Sequence, residues 1–318
     1  MDPNYLSLVD TDLKQAVQLM KAPVLSKKNL HEYRNAVLSH AKTEIDPQLD
    51  VTIEKHIVPT KNNEVPILLF RPRTTNNHEP MPVYLYMHGG GMVSGGAHLD
   101  NMDNAKLSHE LQCIVISIEY RLAPETIFPG QLEDSYAVLT WVKKNAKYLN
   151  IDSTRIAVGG SSAGGGLAAS LSQLALNRGE VEIIFQNLHI PMLDDRTVFE
   201  NPSKPYAGQL GWTQQMNAFA WEMYLGHPAP SSHPKPYAVP ARRKNLEHLP
   251  STLITIGSLD LFLGEVLNYG QRLIDAGVHT EMHIYPGLYH LGELVPNTRV
   301  KNKIFNDRLD AFKRAFYD

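Results

Sequence analysis

One cysteine, Cys113, occurs in the 318 residues. A lone thiol excludes an internal disulfide and any cysteine-rich zinc site. Its place at the head of the apolar run QCIVISIEY marks it as a buried structural thiol rather than a reactive one. No block or stripe of Lys and Arg is present and the formal net charge is -3, which argues against a nucleic-acid partner. No apolar run approaches the roughly 20 residues that a membrane span needs. The opening MDPNYLSLVDTDLKQ lacks the charged and then apolar regions of a secretory leader. A soluble, cytoplasmic protein is the resulting expectation.

What is present alternates between strand-like and helix-like stretches. Residues 4–22 and 28–43 carry helical spacing, with Leu6, Val9, Leu13, Val17 and Met20 on one face and Asn29 or Ser26 as a cap for the second helix. Residues 51–72 pattern as a β-hairpin around Lys61-Asn62-Asn63, and 73–80 as a loop. Two continuous apolar runs, 83–89 and 114–120, predict strands buried on both faces of a parallel sheet. Helices are predicted at 98–111 and 131–148, a strand at 155–158, and a helix from there to about 177. After an apolar run at 182–193 comes a long segment, 196–245, with one helical stretch at 213–226. Strands at 252–257 and 280–287 alternate with helices at 264–276 and 298–316. The pattern fits an α/β fold, a mixed sheet with helices on both faces.

One stretch organises the chemistry. Gly160-Ser161-Ser162-Ala163-Gly164 follows the strand at 155–158 and opens a helix, so G-x-S-x-G lies over a strand–turn–helix. Such a turn projects the central hydroxyl of Ser162 above the sheet. A nucleophilic serine needs a base, an acid that orients the base, and donors for an oxyanion. Among fourteen histidines, His290 lies beyond the last predicted strand, as a base should; His283 lies within that strand and His279 just before it. Asp260 follows the strand at 252–257 and is the preferred acid, with Asp194 and Asp195 as rivals after an earlier strand. His88-Gly89-Gly90-Gly91 follows the first buried strand, and the backbone N–H groups of Gly89, Gly90, Gly91 and Ala163 are candidates for the oxyanion hole. HGGGMVSGG lacks the Lys of a phosphate-binding loop, and His88 is expected to brace its loop.

Together, HGGG at 88–91, GSSAGG at 160–165, YRLAPE at 120–125 with FPGQLED at 128–134, GSLDLFLGE around Asp260, and YPGLYH ending at His290 resemble the hormone-sensitive-lipase family of α/β-hydrolase esterases. Ser161 stands where that family usually has Asp, Leu261 where Pro is usual, Met92 where an aromatic is common and Leu291 where Gly is frequent. In YRLAPE and its sequel, Arg121, Glu125 and Asp134 are expected to form a structural network. The resemblance implies hydrolysis of small, short-chain acyl esters by Ser162, His290 and Asp260, with no metal and no organic cofactor. Deacetylase, lactonase or amidase action would use the same three residues, and a non-catalytic receptor on the same fold is the alternative from another class.

The resemblance also implies the α/β-hydrolase fold, a mostly parallel, twisted, eight-stranded sheet with helices on both faces, and a helical cap made from residues 1–45 and the insertion 196–245 over a core of 46–195 and 246–318. Met92, Ser161, Trp212, Met216 and Leu291 are then candidates for the substrate pocket. Trp212, Met216, Phe219 and Trp221 lie in or beside the insertion helix, where such a stripe serves as lid core more often than as ligand contacts. A homodimer through the last strand and helix is implied as well.

Overall fold

A computed structural model describes residues 3–18, 23–39, 44–73, 79–199 and 206–318. The first expected helix is not continuous. It comprises α1 (Pro3–Leu8), a 3-10 turn (Thr11–Leu13) and α2 (Lys14–Val17), and residues 19–22, with Met20, lie outside the described part. The interruption has a local cause: the Asp10 carboxylate accepts the Asp12 N–H at 2.9 Å and so starts a new turn. α3 (Leu30–Ser39) is preceded by a turn in which the N–H and hydroxyl of Ser26 both donate to Asn29 Oδ1, so both candidate cap residues take part. Residues 40–43, the expected end of that helix, lie outside the described part, as do 74–78 of the expected loop.

The hairpin β1 (Val51–Pro59) and β2 (Glu64–Pro72) pairs Val51 with Pro72 and Pro59 with Glu64. Then follow β3 (Met81–Met87), α4 (Asn101–Leu111), β4 (Ile114–Ile118), α5 (Gly130–Leu149), β5 (Ile151–Ser161) and α6 (Ala163–Arg178). The chain continues through β6 (Phe185–His189), α7 (Gln214–Leu225), β7 (Ser251–Gly257), α8 (Leu263–Asp275), β8 (Thr280–Tyr285) and α9 (Arg299–Tyr317). The sheet has eight strands in the order β1-β2-β4-β3-β5-β6-β7-β8. β2 runs antiparallel to both its neighbours; every other pairing is parallel.

The central strands are buried on both faces, as their unbroken apolar runs require. Val83, Leu85 and Met87 of β3 face one apolar cluster, with residues of α5, α6, α7 and α8; Tyr84 and Tyr86 face another, with α4 and α9. Each large apolar side chain so buried contributes about 1.5–3 kcal/mol. A third cluster joins α1, Leu13 and Val17 to Leu288, Tyr289 and the start of α9. β5 begins at Ile151, earlier than its apolar core at 155–158 suggests, because the Met81–Val83 stretch of β3 pairs across a register shift. The Asp152 carboxylate there accepts the Thr154 N–H at 2.9 Å, a turn-like bond that hides the strand from a reading of pattern.

Candidate active site

Ser162 sits between β5 and α6 with a left-handed backbone, φ 55° and ψ -118°. Two glycines make that turn possible. A Cβ on Gly164 would stand 2.0 Å from the Met87 carbonyl oxygen, and one on Gly160 would stand 2.3 Å from the same atom. The turn is therefore clamped against the end of β3. The Ser162 N–H donates to the His189 carbonyl at 2.9 Å, and its own carbonyl accepts from Gly166 and Met192.

The hydroxyl of Ser162 lies 2.9 Å from His290 Nε2, and His290 Nδ1 lies 2.7 Å from Asp260 Oδ2. A carboxylate oxygen only accepts, so Nδ1 carries the proton and Nε2 presents its lone pair to the hydroxyl. The sequence separates these residues by 128 and 30 positions. All three are buried. Asp260 follows β7, and its other oxygen accepts the Phe262 N–H at 2.9 Å. The Phe262 ring meets His290 edge-on at 5.1 Å, and the Trp212 ring lies 6.4 Å from it. The rival acids are engaged elsewhere: Asp194 pairs with Arg196, and buried Asp195 pairs with Arg242 at 2.7 Å. His283 pairs with Glu281 and lies near Asp307.

The glycine loop comes down beside the serine. A Cβ on Gly89 would be 3.5 Å from Ser162 Cβ and 3.2 Å from the Ser161 carbonyl. Gly90 and Gly91 have φ of 118° and 65°, which L-residues rarely adopt, and Met92 follows at 64°. The Gly90 carbonyl is held by the Val93 and Ser94 N–H groups and the Ser94 hydroxyl. Among the described residues, the N–H groups of Gly89, Gly90, Gly91 and Ala163 donate to no protein acceptor. The Ala163 N–H also opens a 16-residue helix, whose dipole favours negative charge at this end. His88 braces the loop. Its Nδ1 donates to the Gly89 carbonyl at 2.8 Å, its ring stacks on Tyr120 at 4.2 Å, and the Tyr120 hydroxyl donates to its carbonyl. Burial pushes the His88 imidazole below its usual value, so it stays neutral.

Tyr120 opens YRLAPE, which accounts for part of that stretch. Arg121 forks onto Asp134 through both Nε and Nη2, whereas Glu125 turns away to Arg34 at 2.8 Å. Arg34 also donates to the Val93 and Ala123 carbonyls and so ties α3 to the segment after the glycine loop. Trp212 lies over Gly91, where a Cβ would be 2.4 Å from the indole ring. Met216 is buried on α7 in the larger apolar cluster, Ser161 is half-buried at the end of β5, and Leu291 is half-buried with a φ of 66°.

Sequence reasoning missed a second acid–histidine pair beside the first. His189, at the end of β6, has Nε2 3.2 Å from Glu293 Oε1 and Nδ1 2.7 Å from the Thr255 hydroxyl. The separation of 104 positions between His189 and Glu293 leaves no local signal. It also missed Gly211, where a Cβ would be 1.8 Å from the His290 carbonyl oxygen. Among the described residues, no three His, Cys, Asp or Glu side chains converge to hold a metal ion, and no helix is long and apolar enough to cross a membrane.

A mostly parallel sheet of this strand order, carrying a serine on a sharp turn between β5 and α6, defines an α/β hydrolase. A family model described as the alpha/beta hydrolase fold matches residues 84–292. The chain is 36% identical to esterase LipI of Mycobacterium tuberculosis over 70% of its own length and 69% of that protein. It is 32% identical to carboxylesterase NlhH of the same organism, over 81% of each. The crystal structure of esterase LipW from Mycobacterium marinum superposes with a TM-score of 0.87 at 34% identity, covering 98% of both chains. The chain belongs to the hormone-sensitive-lipase-like family of α/β-hydrolase esterases, and it is a carboxylesterase.

Proposed function

We propose that the enzyme hydrolyses small esters with short acyl groups through a triad of Ser162, His290 and Asp260. The Ser162 hydroxyl attacks the ester carbonyl as His290 Nε2 takes its proton. His290 then returns that proton to the leaving alcohol, and Asp260 stabilises the imidazolium formed between the two steps. The tetrahedral oxyanion is received by N–H groups of Gly89, Gly90, Gly91 and Ala163. Losing one such donor costs about 2.7–4 kcal/mol in comparable sites. Water, activated by the same His290, resolves the acyl-enzyme.

The observation that carries this reading is the unbroken hydrogen-bond chain from Ser162 Oγ through His290 to Asp260, at 2.9 and 2.7 Å. Preference for short acyl groups is supported by the bulky buried side chains near the serine turn: Met192, whose N–H donates to the Ser162 carbonyl, and Trp212, whose ring lies over Gly91. The cap reading, with residues 1–45 and 196–245 over the core of 46–195 and 246–318, is supported by bonds between α7 and the segment before α3. Gln215 Nε2 donates to the Leu25 carbonyl at 2.9 Å, and Gln215 Oε1 accepts the Leu25 N–H. A cytoplasmic location fits the single buried thiol of Cys113.

Ser162→Ala is expected to abolish hydrolysis of p-nitrophenyl acetate and labelling by a fluorophosphonate. Turnover by the mutant close to that of the wild type would refute the triad. A panel of p-nitrophenyl esters of increasing acyl length is expected to show falling kcat/KM beyond short chains. Pairing of two copies along β8 fits its position at the sheet edge and the 46% exposure of Ile284. Size-exclusion chromatography would then give the mass of two chains, and the mass of one would remove this pairing.

A further inference from the structure

We propose that Glu293 supplies a second negative charge to His290, and that His189 and Thr255 hold it in place. The proposal rests on His290 being the base of the reaction. Glu293 opens toward β6 from a 3-10 turn (Gly292–Leu294) that directly follows His290 and Leu291. His189 is bound on three sides. Its carbonyl accepts the Ser162 N–H, its Nδ1 meets the Thr255 hydroxyl, and its Nε2 meets Glu293 Oε1. One residue thus grips both the serine turn and the loop that carries the base.

A clasp alone does not require a carboxylate. Glu293 is 8% exposed, and its Oε2 is buried without a hydrogen-bond partner. A buried charged oxygen with no donor is costly, and a glutamine would hold His189 as well for less. A charge kept under those conditions is there for its field. Burial by itself would raise the Glu293 carboxyl, but the bond from His189, the nearby His189 ring, the residue's own backbone N–H and, last, the His290 ring together bring it below its usual value. The carboxylate therefore stays ionised as His290 takes up its proton.

The charged groups around the two residues come from several elements. Asp260 after β7 and Ser162 at the serine turn face His290. His189 of β6, Tyr289 of the same loop and Asp100 ahead of α4 stand within electrostatic reach of Glu293. Asp260 is bonded to the ring and fixes its tautomer. Glu293 makes no bond to it and acts through space, as a positioning residue that favours the imidazolium.

Glu293→Gln keeps an acceptor for His189 and removes only the charge. The acid limb of kcat/KM reports the base in the free enzyme. Its midpoint is expected to move to lower pH by roughly half a unit or more, because the imidazolium loses a neighbouring charge in a poorly screened site. A midpoint that stays or rises overturns the proposal, whatever happens to kcat. His189→Gln supplies a second test should the first variant fail to fold. It keeps a neutral donor toward Glu293, so the midpoint is expected to hold or rise, and a fall overturns the proposal. Ser162→Ala, assayed alongside, separates the two readings: an active Ser162→Ala enzyme defeats the triad, whereas an inactive one with an unmoved Glu293→Gln profile defeats only the role of Glu293.

Discussion

At Asp260 one side chain does two jobs with its two oxygens. Oδ2 accepts a hydrogen bond from His290 Nδ1–H, and Oδ1 accepts one from the Phe262 N–H. Asp260→Asn keeps the volume but offers an amide that can present N–H to Nδ1 and so select the wrong tautomer. We expect kcat to fall by about 10⁴-fold with the fold intact, measured by ester turnover beside circular dichroism. A loss of less than tenfold would show that His290 is oriented by something else. Ser162, Asp260 and His290 were nameable from sequence because each lies in a local signature at a strand end, in a fixed order. His189 and Glu293 were not. An isolated His in an apolar strand and a Glu in a loop carry no pattern, and only the approach of β6 to the loop after β8 joins them.

The serine turn is defined by what cannot be added to it. Gly164 begins the second position of α6 and packs on the end of β3, where a methyl group would strike the Met87 and His88 carbonyl oxygens at 2.0 and 2.5 Å. Both are backbone atoms of a central strand and its exit, so neither can swing aside. Gly164→Ala is expected to cost about 1–3 kcal/mol or more, seen as a lower thermal midpoint, and to depress activity by displacing the Ala163 N–H and Ser162 together. A variant as stable and active as the wild type would mean that β3 and α6 can part without consequence. Element by element, helices and strands with unbroken apolar runs were legible, with ends off by a few residues. The exceptions share a cause. The break at Asp10 and the early start of β5 at Ile151 both depend on a carboxylate bonding an N–H two residues on, which competes with the regular pattern.

Across the whole molecule, segments near both ends of the chain meet around the loop of His290. Val9 and Leu13 share an apolar cluster with Leu288, Tyr289, Val300 and Ile304, and Asp12 pairs with Arg299 at 3.0 Å. The loop carrying His290 is therefore packed from both termini. A depression of about 670 Å³ lies elsewhere, between the hairpin turn and α5 near Lys61, Arg121 and Trp141. Size alone would have drawn attention away from the serine, whose surroundings are tight. The sheet order and the helices on both faces followed from the alternation of the chain. The placement of Trp212 did not, because residues 200–205 leave its approach outside the described part and its position is set by packing on Gly91. That position has a practical result. Trp212 is one of only three tryptophans, and its ring lies 6.4 Å from His290. A protonated imidazole quenches indole emission, so the part of the emission lost in Trp212→Phe is expected to report the charge on His290, whereas Trp141 stands 6.0 Å from His56 and reports a different ring.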